Sequence, residues 1–328
     1  ENEVVVRFRV DGVLNVEKIF PKIMEKQLIS RFKIISGLDI TETRRPQDGR
    51  IKMVIENTKL DLRVSSLPTV NGEKLVLRLL NLKNNLGSIN KLGLNEENFK
   101  RFSSLIKRPY GIILVSGPTG SGKSTTLYAC LNDLNTEDVN IITIEDPVEL
   151  QLKGVNQIQV NPDVGLTFAA GLRSILRQDP NIIMIGEIRD TETAQIAVRS
   201  SLTGHLVFST IHTNDSPGTV TRLIDMGIDP FLVASSLVGV VAQRLVRKTC
   251  RECGEWRPAT EREKILFHNV GMDIEKVYTG KGCPSCNFKG YTGRVAIFEI
   301  LEINDEIRHI INKGGTEQDI REAAFKYG

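Results

Sequence analysis

Eight residues at positions 117–124 have the types and the spacing of a phosphate-binding loop. They match the pattern G-x-x-x-x-G-K-[ST]. The glycines allow backbone angles that other residues avoid, so successive N–H groups can surround a phosphate at a helix N-terminus. Lys123 would neutralise the β- and γ-phosphates of ATP, and the Ser124 hydroxyl would bind Mg²⁺. The predicted nucleotide-binding residues are Gly117, Pro118, Thr119, Gly120, Ser121, Gly122, Lys123, Ser124 and Thr125.

Two acidic segments follow apolar runs that are typical of buried strands. Glu145 and Asp146 come after residues 141–144, and Glu187 follows residues 182–185. Ligands of open α/β sheets bind at the carboxyl ends of the strands, where we expect these side chains. Either Glu145 activates the attacking water or Asp146 helps to hold the metal, and an ordinary acidic turn is the alternative. Glu187 is expected to contact Mg²⁺ or its bound waters.

Histidines and arginines add to this constellation. His205 and His212 bracket a third strand-like run at 206–211. We expect His212, at the carboxyl end, to reach the γ-phosphate, whereas His205 is equally compatible with a structural role. Arg173 and Arg177 are predicted one turn apart on a helix. They could clamp a phosphate or an acid of an adjacent subunit, and a solvated helix face is the alternative.

Four cysteines form two C-x-x-C pairs, separated by residues 254–282, in a pattern that resembles a zinc site. Two disulfides are the rival interpretation, but they suit secreted proteins, whereas an ATP-dependent machine works where thiols stay reduced. Since all four ligand positions are filled, the zinc would be structural. The predicted ligands are Cys250, Cys253, Cys283 and Cys286, and Cys130 is expected only to pack.

The elements that must position these residues predict an α/β protein of two domains, because 328 residues exceed the usual size of one domain. Strand-like runs and one amphipathic segment predict a small α+β domain at 1–85. A polar linker is expected at 86–95. From 96 to 328, apolar runs alternate with helical segments, which predicts a mostly parallel sheet covered on both faces. The zinc module is expected at 246–295, and Asp190 is expected to cap a helix.

Charge and hydropathy disfavour other classes of protein. The 43 basic and 40 acidic residues give a net charge of +3, which leaves no large basic footprint for nucleic acid. The longest apolar stretch, at 231–242, is too short to span a membrane. We therefore expect a soluble, cytoplasmic protein with no nucleic-acid partner and no membrane insertion. The chain begins inside a strand-like run, without an initiator Met or signal peptide, which suggests a fragment of a longer protein.

Together these motifs resemble the secretion ATPase superfamily that drives type II secretion and type IV pilus assembly. The resemblance covers nearly the whole chain. It implies a RecA-like P-loop core, a smaller PAS-like N-terminal domain and a homo-hexameric ring that uses ATP, Mg²⁺ and Zn²⁺, with ATP bound between the two domains. The segments that carry it are 6–12, 45–50, 61–65, the P-loop, the Asp box at 145–149, the Walker B motif at 186–190 and the His box at 209–214.

The resemblance also implies a role for individual residues. Glu145 would be the general base, Glu187 the glutamate of the metal site and His212 the sensor of the γ-phosphate. Members of these branches usually begin with a further domain, which this sequence does not include. Three arginines fall where the family places arginines that are important for hydrolysis, namely Arg7, Arg173 and Arg177.

The predicted function is therefore a Mg²⁺-dependent ATPase that powers type IV pilus assembly, with type II secretion as the alternative. The tetracysteine module resembles that of these two branches and argues against pilus retraction. Hydrolysis would move the N-terminal domain about a hinge near 81–90 and act on an inner-membrane platform protein, which would keep the ATPase peripheral to that membrane. A non-hydrolysing nucleotide-binding scaffold and a nucleic-acid motor are less favoured.

Overall fold

The chain divides into two compact units, Glu1–Asn85 and Leu86–Gly328. The computed structural model describes residues 2–80 and 87–326. Most of the hinge predicted near 81–90 therefore lies outside the described residues. The first part of the second unit is packed, since the hydroxyl of Ser88 and the N–H of Ile89 both donate to Asp133, at 2.8 and 3.0 Å.

The first unit combines two antiparallel sheets with one helix, which confirms the predicted α+β class. A turn at Asp11 and Gly12 joins its first two strands. The elements are β1 (Glu3–Val10), β2 (Val13–Pro21), α1 (Glu25–Ser36), β3 (Gln47–Ile55), β4 (Thr58–Thr69) and β5 (Gly72–Leu80).

The second unit contains a seven-stranded sheet, helices on both of its faces and a small two-stranded sheet. Its strands are β6 (Gly111–Ser116), β7 (Ile141–Glu145), β8 (Asn156–Gln159), β9 (Ile182–Ile185), β10 (Leu206–Ile211), β11 (Leu237–Thr249), β12 (Gly254–Pro258), β13 (Lys276–Gly280) and β14 (Tyr291–Glu302). Its helices are α2 (Glu96–Ile106), α3 (Lys123–Leu134), α4 (Phe168–Ile175), α5 (Thr191–Leu202), α6 (Pro217–Asp225), α7 (Pro230–Ser236), α8 (Glu261–His268), α9 (Asp305–Asn312) and α10 (Glu317–Lys326).

The large sheet has the strand order β14-β11-β6-β10-β9-β7-β8, and its pairs are parallel except for β11 with β14. Strand β6 sends Ile112 and Leu114 into one apolar layer and Ile113 and Val115 into the other. Alternate residues of a strand point to opposite faces, so a strand that is covered on both sides is apolar throughout. The predicted parallel sheet with both faces covered is confirmed.

The apolar stretch at 231–242 is shared between two elements, since it covers all of α7 after Pro230 and the start of β11. Within residues 2–80 and 87–326, no helix has both the length and the apolar character that are needed to cross a bilayer.

Candidate functional site

The P-loop joins β6 to α3, as its pattern predicts. Gly117, Gly120 and Gly122 have φ angles of +137°, +78° and +92°, in the region that favours glycine. A Cβ atom at Gly117 would lie only 2.3 Å from the carbonyl oxygen of Gln243. The loop therefore depends on glycine for its backbone angles and, at Gly117, also for space.

Lys123 and Ser121 show how this loop is prepared for an anion. The ammonium group of Lys123 donates to the carbonyls of Gly117 and Pro118, at 2.7 and 3.2 Å. Burial lowers the pKa of Lys123, while the nearby carboxylate of Glu187 acts in the opposite direction. The Ser121 hydroxyl is buried and has no hydrogen-bond partner among the described residues. A buried cation and a free hydroxyl on a glycine-rich loop fit a phosphate group.

The two predicted acids lie on neighbouring strands. Glu145 is the last residue of β7 and is buried, with 4% of its surface exposed. Glu187 lies two residues beyond β9, which pairs with β7, and the N–H of Gly186 donates to the carbonyl oxygen of Ile144 at 2.7 Å. Glu187 forms an ion pair with Arg189, at 2.5 Å, and its carboxylate lies 3.6 Å from Nε2 of His212.

His212 lies at the mouth of the P-loop. A cavity of about 170 Å³ is lined by Gly117 and Pro118 on one side and by His212, Thr213 and Asn214 on the other. The structure thus brings together the P-loop, Glu187 and His212, which are far apart in the sequence. Asp146, the alternative metal ligand, is exposed at the start of the next loop.

His205 and Asp190 have structural positions instead. His205 lies just before the amino end of β10, with Nδ1 2.8 Å from the carbonyl oxygen of Ser200. Asp190 caps α5, since it accepts from the N–H of Thr193 at 2.8 Å and from its hydroxyl at 2.9 Å. The predicted cap is confirmed.

The predicted arginines are not gathered at the P-loop. Arg173, on α4, forms an ion pair with Glu192 of α5. The prediction that Arg177 shares this helix was wrong: α4 ends at Ile175, because Asp179 has a φ of +50° and precedes a proline. Arg177 instead donates to the carbonyl of Arg173 at 2.8 Å. Arg7 is an exposed residue of β1 in the first unit.

The structure also reveals a supporting residue that sequence reasoning missed. Gln243, on β11, is buried and accepts a 2.7 Å hydrogen bond from the hydroxyl of Thr126 on α3. A Cβ atom at Gly122 would lie 2.8 Å from its amide nitrogen. Because β11 neighbours β6 in the sheet but follows it by more than 100 positions, no local pattern could have connected Gln243 with the P-loop.

A larger cavity, of about 700 Å³, lies behind the His box. Its lining includes Ser216, Glu299 and Arg321, and Glu299 accepts from the N–H of Ser216 at 3.1 Å. Arg321 forms an ion pair with Asp215 at 2.8 Å. This cavity has no glycine-rich loop, so its size alone does not make it the nucleotide site.

The four predicted zinc ligands converge at one point. Their sulfur atoms all lie within 4.8 Å of one another, and the Cys250–Cys283 and Cys253–Cys286 pairs are each 3.8 Å apart. Four sulfurs at about 2.3 Å from one tetrahedral zinc ion are about 3.8 Å apart, so the geometry fits zinc. N–H groups of Cys283 and Gly290 donate to the Cys286 sulfur, both at 3.2 Å, as thiolate ligands require.

The cysteines are not joined by disulfides, and all five are free. Cys130 is fully buried on α3, and burial raises the pKa of its thiol, which confirms the packing role. The rival prediction of two disulfides is therefore not borne out by the structure.

A strand, a P-loop and a helix, with acids at neighbouring strand ends, define the class of P-loop nucleotide-binding proteins. Solved structures share the fold: the ATPase DotB of Legionella pneumophila has a TM-score of 0.66 at 21% identity, and covers 99% of this chain and 83% of that chain. The pilus retraction motor PilT with bound ADP has a TM-score of 0.61 at 26% identity, over 98% of this chain and 86% of that chain.

The chain belongs to the type II/IV secretion system protein family, whose model matches residues 1–328. It is 52% identical over 318 residues to the type II secretion system ATPase E of Vibrio cholerae, and 48% identical over 334 residues to the type IV pilus assembly ATPase PilB of Myxococcus xanthus. These alignments cover 97% and 100% of this chain, and the chain spans 63% and 59% of the relatives' lengths. The family inferred from the motifs is confirmed.

Proposed function

We propose that this chain binds ATP with Mg²⁺ and hydrolyses it to ADP and phosphate. The observation that carries the proposal is that the P-loop, His212 and Glu187 lie together, with Glu145 at the end of the neighbouring strand β7. The N–H groups of 117–125 and the ammonium of Lys123 would hold the β- and γ-phosphates. Ser124 and Glu187 would hold Mg²⁺, which supplies charge neutralisation at these phosphates.

Each protein group has a task in the proposed reaction. Glu145 takes a proton from water as the water oxygen forms a bond to the γ-phosphorus. The bond between the γ-phosphorus and the β–γ bridging oxygen breaks, and ADP leaves with that oxygen. His212 contacts the γ-phosphate and reports its loss. The exposed arginines Arg7, Arg173 and Arg177 are proposed to act on the nucleotide of an adjacent subunit.

Phosphate release from ATP tests this chemistry. We expect Glu145→Gln to lower the rate by about 10²- to 10⁴-fold, because the amide cannot accept the proton. Glu137→Gln, at an exposed acid in the loop after α3, is the matched control and should keep the wild-type rate. Equal rates for wild type and Glu145→Gln would remove Glu145 from its role.

At the level of assembly, we propose a homo-hexameric, cytoplasmic motor that acts on an inner-membrane platform protein. Family membership and the two named relatives support this proposal. Loss of phosphate would move the N-terminal unit, proposed to be PAS-like, relative to the ATPase core, while a structural zinc holds the tetracysteine module. Mass photometry with ATP and Mg²⁺ tests the ring: a stable monomer under all nucleotide conditions would contradict it.

Pilus assembly is the first of the two proposed processes, and type II secretion is the second. Identities of 52% and 48% to the two relatives do not separate them. Deletion of the gene in its source bacterium would separate the two processes. Loss of surface pili with normal secretion supports pilus assembly, whereas loss of secreted enzymes with normal pili supports type II secretion.

A further inference from the structure

The carboxylate of Glu145 is held by donors from three different elements. The Tyr128 hydroxyl, on α3, donates to Oε2. On the other oxygen, Oε1, the hydroxyl of Thr143 donates at 2.6 Å and the amide of Gln157, on β8, donates at 3.0 Å. Sequence reasoning identified none of these three partners. Only the fold places Tyr128 and Gln157 beside the end of β7, whereas Thr143 precedes Glu145 by two positions on the same strand.

These contacts distinguish the two oxygens of Glu145. A carboxylate oxygen has two lone pairs. Oε1 receives two protein donors, which fill its acceptor positions, whereas among residues 2–80 and 87–326 Oε2 receives a donor from Tyr128 only. Oε2 therefore keeps one lone pair that can accept a proton from water.

Gln157 is fixed in the orientation that this arrangement needs. Its amide oxygen accepts from the N–H of Leu152 at 2.7 Å, and its amide nitrogen also donates to the carbonyl of Leu150 at 3.0 Å. A flipped amide would place a donor against the Leu152 N–H and lose both of the other bonds. The Oε1 side of Glu145 is thus fixed by a side chain that cannot turn without loss.

Tyr128 connects the acid with the phosphate-binding helix. It lies on the same helix as Lys123 and is buried, with 4% of its surface exposed. Its hydroxyl also accepts from the N–H of Glu149 at 3.2 Å, which ties the loop after β7 to α3. Burial, together with the hydrogen bond to Glu145, raises the pKa of Tyr128, so the phenol keeps its proton and remains a donor.

We propose that Tyr128 is a positioning residue for ATP hydrolysis: it fixes Glu145 so that Oε2 is the atom that takes the proton of the attacking water. The inference rests on the proposed function and deepens it. Because one helix carries both Lys123 and Tyr128, the distance between the bound phosphates and the base is set by α3. A base that loses this constraint samples orientations that cannot react, which lowers the rate without weakening ATP binding.

Tyr128→Phe tests the proposal, because it removes one oxygen and keeps the ring. We expect kcat for phosphate release to fall by about 10- to 100-fold, with KM for ATP and the affinity for a fluorescent ATP analogue unchanged. Tyr110→Phe, at an exposed tyrosine, is the matched control and should keep the wild-type kcat. A wild-type kcat for Tyr128→Phe, or a raised KM at unchanged kcat, would overturn the proposal.

A double-mutant comparison separates positioning from a general structural role. If Tyr128 acts through Glu145, Tyr128→Phe should cost no further rate in the Glu145→Gln background, measured in single turnovers with enzyme in excess. The same factor in both backgrounds would overturn the inference. A wild-type rate for Glu145→Gln itself would instead overturn the proposed function.

Thr143→Val provides a second test if Tyr128→Phe folds poorly. It keeps the side-chain shape and removes one donor to Oε1. We expect the same pattern, a lower kcat with unchanged KM that disappears in the Glu145→Gln background. An unchanged kcat for Thr143→Val would contradict the claim that the donors around Glu145 fix its orientation.

Discussion

The P-loop core and the tetracysteine module hold their side chains in different ways. In the core, apolar layers cover both faces of the sheet, and the P-loop, Glu145 and Glu187 extend from strands that cannot move independently. In the module at 246–295, all of which the structure describes, the buried residues are Cys250, Ala259, Cys286 and Gly290, and α8 buries none. Packing determines the shape of the core, whereas the module has little packing, and the zinc proposed at its four cysteines would hold its shape.

Removal of the metal should have the largest effect of the changes considered, and the loss of structure should be confined to the module. Zinc binding to such sites contributes about 10 to 16 kcal/mol of folding free energy, and the module has little apolar burial to replace it. After chelation we expect hydrogen-exchange protection to be lost at 246–295 and kept in the core strands β6, β9 and β10, with ATP still bound.

Elemental analysis accompanies this experiment and should find about one zinc per chain. Cys253→Ser should lose the metal, whereas Cys130→Ala, at a core cysteine, is the control that should retain it. Two outcomes would contradict the claim that zinc maintains the module: a module that stays protected after chelation, or protein purified without chelator that contains no zinc.

Lys123→Ala should have the next largest effect, which falls on the rate of ATP hydrolysis by the core. Loss of this cation from the phosphates should lower the rate of hydrolysis by about 10²- to 10³-fold. Hydrogen exchange of the module should not change, since the hydrogen bonds described for the ammonium group of Lys123 go to the P-loop carbonyls of Gly117 and Pro118. Lys100→Ala, at an exposed residue of α2, is the control. Near-normal turnover of Lys123→Ala would contradict the P-loop assignment.

Gln243→Leu should have an intermediate effect within the core. It leaves the buried hydroxyl of Thr126 without its acceptor, at a cost of about 1 to 3 kcal/mol in the free energy of unfolding. Urea denaturation with a core probe measures this cost, and ATP affinity should fall as the loop loosens. Gln151→Leu, at an exposed position, should change neither. Unchanged stability of Gln243→Leu would show that packing alone supports the loop.

Glu263→Gln should have the smallest effect, on α8 of the module. Arg257, helped by the N–H and hydroxyl of Thr260, lowers the pKa of Glu263 from its ordinary 4.5 to about 2. A carboxylate whose pKa is lowered in the folded state stabilises the folded state at pH values above the ordinary pKa of the carboxylate. This contribution to stability is lost as the pH falls through the folded-state pKa.

Hydrogen exchange of the α8 amides, compared between Glu263→Gln and wild type at several pH values, measures this contribution. The difference in α8 protection between wild type and Glu263→Gln should have its full size above pH 4.5 and should disappear towards pH 2. Loss of zinc in acid affects both proteins, so the difference isolates Glu263. A difference that grows on acidification would contradict the account.

The sequence predicted the core better than it predicted the contacts around the site. Strands β6, β7, β9 and β10 are mostly apolar, and local motifs mark their carboxyl ends, so the P-loop, Glu145, Glu187 and His212 could be placed from pattern alone. Tyr128, Gln157 and Gln243 carry no local signal, because each acts on a residue that only the strand order brings near.

The predictions for the arginines and for the cysteines had different outcomes, because a local pattern determines some features and not others. The period of α4 could not reveal that the helix stops before Arg177. The cysteine spacing, by contrast, was sufficient to predict the cluster, since two C-x-x-C pairs are themselves a pattern typical of a metal site.

A crystal structure with Mg²⁺ and a non-hydrolysable ATP analogue would show whether the P-loop and Glu145 act on ATP as proposed. We expect the ammonium group of Lys123 to leave the carbonyls of Gly117 and Pro118 for the β- and γ-phosphates, with Oε2 of Glu145 directed at a water in line with the γ-phosphorus. Phosphates bound elsewhere, with Lys123 still on those two carbonyls, would contradict it.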